Sequence, residues 1–145
     1  MKIKTIDELF ANYPVVTRFP LHWGEMDAYQ HVNNVAYFRY FETARIDYFA
    51  KMGIGGPVIG KLGPILASVS AKYLAPLVFP DNLAIGTRVS DVQKDRFLIQ
   101  HAIFSEQKQR IVTTGEDLIV AYDYATLRKT DMPAEWVKKI REIES

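Results

Sequence analysis

The chain has 145 residues, of which 48% are hydrophobic and 24% charged, the balance of an ordinary globular protein that can bury a core. Its 18 basic and 17 acidic side chains give a formal net charge of +1, so no overall field favours nucleic acid or an anionic membrane surface. The absence of cysteine excludes disulfides, thiolate nucleophiles and most structural zinc sites, and it fits a reducing, cytoplasmic location.

The N-terminal segment predicts a short helix. Thr5 followed by Glu8 has the spacing of a capping box, in which each residue satisfies a backbone N–H of the other. The segment lacks the apolar stretch of a signal peptide, and no apolar run in the chain approaches the roughly 20 residues that a membrane span needs. We therefore expect neither a secretion signal nor a membrane partner.

Residues 17–23 alternate between apolar and polar side chains, which predicts a half-buried strand. Phe19, Leu21 and Trp23 would face the core, and Arg18 and His22 would face solvent.

A polar turn over residues 27–34 follows this strand and directly precedes a helical pattern. A helix start presents unpaired N–H groups and a positive dipole end, so it can stabilise an oxyanion while the carboxylate of Asp27 acts on water. Asn33 offers an N-cap side chain. A turn or capping role is the alternative interpretation of Asp27.

The helical pattern spans residues 34–52 and ends at Gly53. A polar stripe recurs at every fourth position, at Arg39, Thr43, Asp47 and Lys51. The opposite, apolar arc comprises Val35, Tyr37, Phe38, Phe41, Ile46, Tyr48, Phe49 and Met52. An arc this wide predicts a helix wrapped by a sheet.

Two charges, Glu42 and Arg45, interrupt the apolar arc three residues apart. They can pair with each other or with groups from a second element.

Four further strands are predicted, over residues 65–74, 83–92, 97–105 and 111–125. The short joins between them suit antiparallel hairpins, since parallel neighbours need long crossovers. Asp131 and Pro133 predict a terminal helix, whose apolar side is Trp136, Val137, Ile140 and Ile143. With no internal repeat or linker, we expect a single domain over residues 1–145.

The glycine-rich segment 55–61 has the spacing of a phosphate-binding P-loop, but Leu62 replaces the required Ser or Thr and no strand precedes the segment. We interpret it as a loop. Metal binding is not expected either, because His22, His31 and His101 share no ligand spacing.

The motif D-x-x-x-H-V-N-N-x-x-Y beginning at Asp27, the E-x-x-R of the helix, Tyr73-Leu-Ala-Pro76 and the following Pro80-Asp81 resemble the 4-hydroxybenzoyl-CoA thioesterase type of hotdog-fold acyl-CoA thioesterase. The resemblance covers roughly residues 15–131. It implies an α+β hotdog fold, in which an antiparallel sheet wraps around one long central helix. It also implies a homodimer or homotetramer with active sites at the subunit interfaces.

The resemblance places the catalytic aspartate at Asp27 and the oxyanion donor at the backbone N–H of Asn34. His31 could polarise the thioester carbonyl or orient water, although a histidine in a turn more often bonds to the backbone. Glu42 is the rival carboxylate, because other hotdog branches place their acid on the central helix. An ion pair with Arg45 is the favoured alternative for Glu42.

The resemblance also places the contacts to the CoA phosphates near residues 93–96, which makes Lys94 and Arg96 the candidates. Asp95 between them departs from a basic pattern. Lys72 is a further candidate on its strand.

The function expected from these features is hydrolysis of an acyl-CoA thioester without a cofactor, with CoA as part of the substrate. The acyl group is left open. Two alternatives are a hotdog hydratase or dehydratase, for which His31 supplies a candidate, and a non-catalytic acyl-CoA-binding protein.

Overall fold

The computed structural model describes residues 2–56 and 61–145, so residues 57–60 of the glycine-rich segment lie outside the described residues. In chain order the elements are α1 (Ile6–Asn12), β1 (Val15–Pro20), a 3₁₀ turn (Trp23–Glu25), α2 (Ala36–Met52), β2 (Leu62–Tyr73), β3 (Asn82–Ser90), β4 (Arg96–Ser105), β5 (Arg110–Asp123), β6 (Arg128–Lys129) and α3 (Ala134–Glu144). The strands form one antiparallel sheet in the order β1-β3-β4-β5-β2, with β6 beside β5.

The sheet curves around α2, as predicted. Tyr37, Phe41 and Tyr48 of α2 are fully or nearly fully buried against the inner face of the strands. Val35 and Ile46 were expected on the same arc, but they are 60% and 56% exposed. That part of the prediction is wrong because the sheet leaves one side of the helix uncovered.

Local bonds set both ends of α2. At the C-terminal end Gly53 adopts a left-handed conformation with φ 75°, and the N–H of Ile54 donates to the carbonyl of Phe49 at 3.0 Å. The α-helix starts at Ala36, two residues later than predicted. The N–H of Ala36 instead closes a turn onto the carbonyl of Asn33 at 2.9 Å.

The first strand lies earlier in the chain than predicted and ends at Pro20. Leu21 is buried and its N–H donates to the carbonyl of Asp81 at 2.9 Å, after which the chain turns into the 3₁₀ segment. Trp23 is therefore 74% exposed and does not face the core, contrary to the prediction. Alternation alone could not reveal that the strand pairing stops at Pro20.

The remaining strands match the predicted bounds to within three residues, and they form the predicted antiparallel hairpins. The short β6 was not predicted. The C-terminal helix α3 buries Trp136 and Ile140, as expected. The Tyr48 hydroxyl donates to the Glu144 carboxylate at 2.6 Å, and this bond joins α3 to α2.

The helix α1 covers part of the outer face of the sheet. Thr5 caps it by accepting from the N–H of Glu8 at 3.2 Å, and Leu9 packs into a cluster with Ala102 and Phe104. No helix within residues 2–56 or 61–145 combines the length and apolar character needed to cross a membrane.

We predict that Gly115→Ala destabilises the fold by about 1–3 kcal/mol through overpacking. A Cβ at Gly115 would lie 2.4 Å from two ring carbons of the buried Phe41. Gly55→Ala is the matched control, because a Cβ there meets no atom of the described residues within 4 Å. Urea unfolding of both variants measures the difference. Equal midpoints would show that Phe41 can move at little cost.

Candidate active site

The turn at residues 27–34 is held closed by its backbone. Met26 and Val32 form an antiparallel bridge, and inside it the N–H of Asp27 donates to the carbonyl of His31 at 3.0 Å. Gln30 takes a left-handed conformation with φ 63°, which lets the chain reverse. The backbone positions from which the turn's side chains project, including that of Asp27, are therefore fixed.

The Asp27 carboxylate is half-buried and acts as a turn residue through one oxygen. Its Oδ1 accepts from the N–H of Tyr29 at 2.9 Å. Its Oδ2 has no protein donor within residues 2–56 and 61–145. The two interpretations of Asp27 are thus compatible, since one oxygen orients the side chain and the other stays available for a proton.

A groove of about 540 Å³ opens beside Asp27. It is lined by Trp23, Gly24, Met26, Asp27, Gln30 and Val78. Of these described lining residues Asp27 alone is ionisable, and Trp23, Met26 and Val78 supply apolar walls. An apolar groove with one convergent carboxylate is the form expected of a small-molecule site.

The helix start lies beside a second groove of about 250 Å³, which shares Gly24 and Met26 with the first and is also lined by Asn33 and Val35. Asn33 was predicted to cap the helix, but the N-cap residue of α2 is Val35 and it carries no side-chain cap bond. Asn33 instead closes the turn before the helix, because its Oδ1 accepts from the N–H of Val35 at 2.9 Å. Asn34 between them is exposed, and its N–H has no acceptor in the described part of the chain. The grooves adjoin, and whether the Asn34 N–H and Asp27 reach one reacting group stays a prediction.

Two tyrosines of the first turns of α2 lie behind this region. Burial raises the pKa of Tyr37 and, more strongly, that of Tyr40, where the nearby Glu25 carboxylate adds to the effect. Both phenols therefore stay neutral at ordinary pH. They place no negative charge against the positive end of the helix dipole.

His31 and Glu42 are placed differently from Asp27. The His31 side chain is exposed, and its backbone carbonyl takes part in the turn. Glu42 has a 64% exposed side chain and lies 3.9 Å from Arg45, a loose pair. Neither side chain lines the groove beside Asp27.

The candidate phosphate ligands are spread along the surface. Lys94 lies 3.6 Å from the Asp131 carboxylate, with its side chain 83% exposed. Arg96 bonds to its neighbour Asp95 at 2.8 Å, and this pairing lowers the pKa of Asp95 and raises that of Arg96. Lys72 is exposed on β2, beside a separate shallow groove on the outer face of the sheet.

Arg45 pairs with a group from a second element, one of the two predicted alternatives, and this pair belongs to a buried polar network whose other members were not predicted. Arg45 donates to Asp117 Oδ2 at 2.9 Å, and the same oxygen lies 2.7 Å from His101 Nε2. His101 Nδ1 is bonded to the Thr87 hydroxyl at 3.0 Å, and the ring is stacked on Phe41. Asp117 and His101 are fully buried, so the network ties α2 to three strands from inside. An aspartate at an inward position of β5, opposite a helical arginine, was the signal available.

Three comparisons with known proteins agree. The family model described as the thioesterase-like superfamily matches residues 21–140. The chain belongs to this superfamily. The long-chain acyl-CoA thioesterase FadM of Escherichia coli K12 is 21% identical over 128 residues, which are 88% of this chain and 97% of FadM.

Solved structures share the fold. The PA2801 protein of Pseudomonas aeruginosa is 27% identical, with a TM-score of 0.79 over 92% of this chain and 99% of that one. A thioesterase of Thermus thermophilus, complexed with coenzyme A and zinc, is 23% identical, with a TM-score of 0.77 over 91% and 95% of the two chains. The predicted hotdog fold and the assignment to the thioester hydrolases are thus confirmed. Within the described residues, no group of three or more His, Asp or Glu side chains could hold a metal ion.

We predict that Arg45→Met lowers the free energy of unfolding by about 3–5 kcal/mol, because it removes the close cationic partner of a buried carboxylate. Arg18→Met is the matched control. Arg18 lies at the same 2.9 Å from Glu106 as Arg45 does from Asp117, but it is half exposed. Its loss should cost about 0–1 kcal/mol. Urea denaturation at neutral pH measures both, and equal losses would contradict the role of burial.

Proposed function

We propose that the chain is a cytoplasmic acyl-CoA thioesterase that hydrolyses a CoA thioester to the free acid and CoA. The main observation in support is the position of Asp27, the one ionisable side chain among the residues lining an apolar groove beside a helix start. The named activity of the relative FadM and the coenzyme A bound to the Thermus relative favour this substrate class.

In the proposed reaction the thioester carbonyl oxygen lies at the Asn34 N–H. A water molecule loses a proton to Asp27 as it attacks the carbonyl carbon, and the Asn34 N–H together with the helix dipole stabilises the oxyanion. Collapse of the tetrahedral intermediate breaks the C–S bond and releases the thiolate. A thiol with a pKa near 8.5, the cysteine value, can leave without a strong acid, so one carboxylate suffices.

Direct attack by Asp27 on the carbonyl is the second route. It gives a mixed anhydride, which water then hydrolyses. Both routes use the free Oδ2, and neither requires a metal or a redox cofactor. His31 is proposed only as a water-orienting group.

The CoA phosphates are proposed to contact Lys94 and Arg96 at the β3–β4 turn. Lys94 has the more accessible ammonium group, since its side chain is 83% exposed and its pair with Asp131 is loose at 3.6 Å. Arg96 would have to exchange its bond to Asp95 for phosphate. Lys94 is therefore expected to contribute more.

We predict that Asp27→Asn lowers kcat for acyl-CoA hydrolysis at least about 10²-fold, because an amide cannot accept the proton of water. Asn can still accept the Tyr29 N–H, so the turn should persist. The measurement is release of free thiol across a panel of aromatic, branched and straight-chain acyl-CoA thioesters.

Asp123→Asn is the matched control for this experiment. Asp123 Oδ1 also accepts a backbone N–H two residues ahead at 2.9 Å, so it makes the same kind of turn without lining the groove. Its turnover should stay at the wild-type rate. If the Asp27→Asn enzyme were as active as the Asp123→Asn enzyme, Asp27 would not be the catalytic carboxylate. A large loss of activity in Glu42→Gln would then assign the general base to Glu42. Loss of enoyl absorbance without thiol release would indicate a hydratase.

We also propose that the protein forms a homo-oligomer through β2. This strand of 12 residues pairs only with β5 in the described chain, so its other edge is open. Leu62, Leu66 and Tyr73 on it are 38–44% exposed. A long, partly apolar open edge is normally covered, and a second copy of β2 supplies a partner of equal length.

We predict that Leu66→Lys shifts the protein toward the 16.6 kDa monomer, because a charged side chain opposes pairing at a strand edge. Val92→Lys serves as the control, since Val92 is 43% exposed, close to the exposure of Leu66, but follows β3, which β4 and β5 separate from β2. Light scattering after size exclusion measures both masses. An oligomer that survives Leu66→Lys, or a wild type that is monomeric at every concentration, would refute this interface.

A further inference from the structure

The Tyr73 hydroxyl makes a bond that links the sheet to the helix start. It donates to the backbone carbonyl of Asn34 at 2.8 Å, across 39 residues of sequence. The Tyr73 ring also packs edge-on against Tyr37, with centroids 4.9 Å apart. The backbone that follows Tyr73 is fixed to β5, because the N–H groups of Leu74 and Ala75 both donate to the carbonyl of Val112.

The peptide groups on both sides of Asn34 are held by hydrogen bonds. The preceding peptide is held through the Asn33 carbonyl, which accepts from Ala36 at 2.9 Å. The following peptide is held twice, through the Val35 N–H on Asn33 Oδ1 and through the Asn34 carbonyl on Tyr73. The Asn34 carbonyl therefore has a partner, whereas the Asn34 N–H has none within the described residues. Its direction is thus set by its neighbours.

We propose that Tyr73 is a positioning residue for the oxyanion donor, an inference that rests on the proposed function. An oxyanion hole works because its donors are oriented before the charge develops, so a donor that must first be reoriented stabilises the transition state less. Tyr73 acts through the Asn34 backbone and does not touch the reacting atoms. Burial raises the pKa of the Tyr73 phenol, so it remains a hydrogen-bond donor over the working pH range.

Satisfaction of a buried carbonyl does not explain this bond. Asn34 is exposed and Tyr73 is 44% exposed, so water could replace the hydroxyl at the Asn34 carbonyl. A water molecule would satisfy the carbonyl but would not fix it relative to β2. The specific consequence of the tyrosine is therefore orientation.

The test compares Tyr73→Phe with Tyr124→Phe. Tyr124 donates to the carbonyl of Pro64 at the same 2.8 Å, so each variant loses one phenol-to-backbone bond, but only Tyr73 lies at the helix start. Tyr73→Phe should lower kcat for acyl-CoA hydrolysis about tenfold, a part of the 10²- to 10³-fold that loss of an oxyanion donor costs. KM should stay near the wild-type value. Tyr124→Phe should leave both constants unchanged.

A second measurement does not depend on turnover. Amide hydrogen exchange at Val35 and Ala36, followed by NMR, should be faster in Tyr73→Phe and unchanged in Tyr124→Phe, because the turn loses one of its restraints. Unchanged kcat, or equal changes in the two variants, would overturn the proposal. If the wild type hydrolysed no thioester while exchange still rose in Tyr73→Phe, the proposed function would fail and with it the oxyanion role, but the restraint on the turn would stand.

Discussion

The position of α2 inside the sheet depends on a buried ion pair. Apolar packing gives α2 a preferred face, but it is non-directional and would tolerate small rotations and shifts along the axis. Arg45 reaches the Asp117 carboxylate at 2.9 Å, and His101 fixes the same oxygen from β4. A buried pair costs much desolvation and is poor evidence for stability, so its consequence here is register. It fixes the rotation and the axial position of α2 against β4 and β5.

The geometry of the turn that precedes α2 is set by its own backbone bonds. The Met26–Val32 bridge places Asp27 on one side of the chain reversal and the helix start on the other. Asn33 Oδ1 accepts the Val35 N–H, and the Tyr73 hydroxyl donates to the Asn34 carbonyl, so these two groups beside the Asn34 N–H already have partners. One groove therefore holds a carboxylate with a free oxygen, and the adjoining groove is lined by the two neighbours of Asn34, whose N–H has no partner among the described residues. Aspartate and asparagine are both common in ordinary turns.

Much of the fold was predictable because it depends on local pattern. The period of α2, its end at Gly53 and the hairpin joins each have a cause within a few residues of sequence. Trp23 was misplaced because the end of β1 is set by pairing with a distant strand. Ile46 was misplaced because one sequence does not show how far a sheet wraps. For the same reason Asp117 was missed, since its partner Arg45 is 72 residues away.

The site was predictable only in part, and β2 shows why. The turn residues lie together in sequence, so their motif identifies them. Tyr73 lies on β2, 39 residues from Asn34 in the sequence, so its bond to Asn34 has no signature in local spacing. The same strand has an open edge and exposed apolar side chains. If a second copy covers that edge, assembly also orders the strand whose tyrosine holds the Asn34 carbonyl, so the proposed orientation of the Asn34 N–H would form most completely in the oligomer.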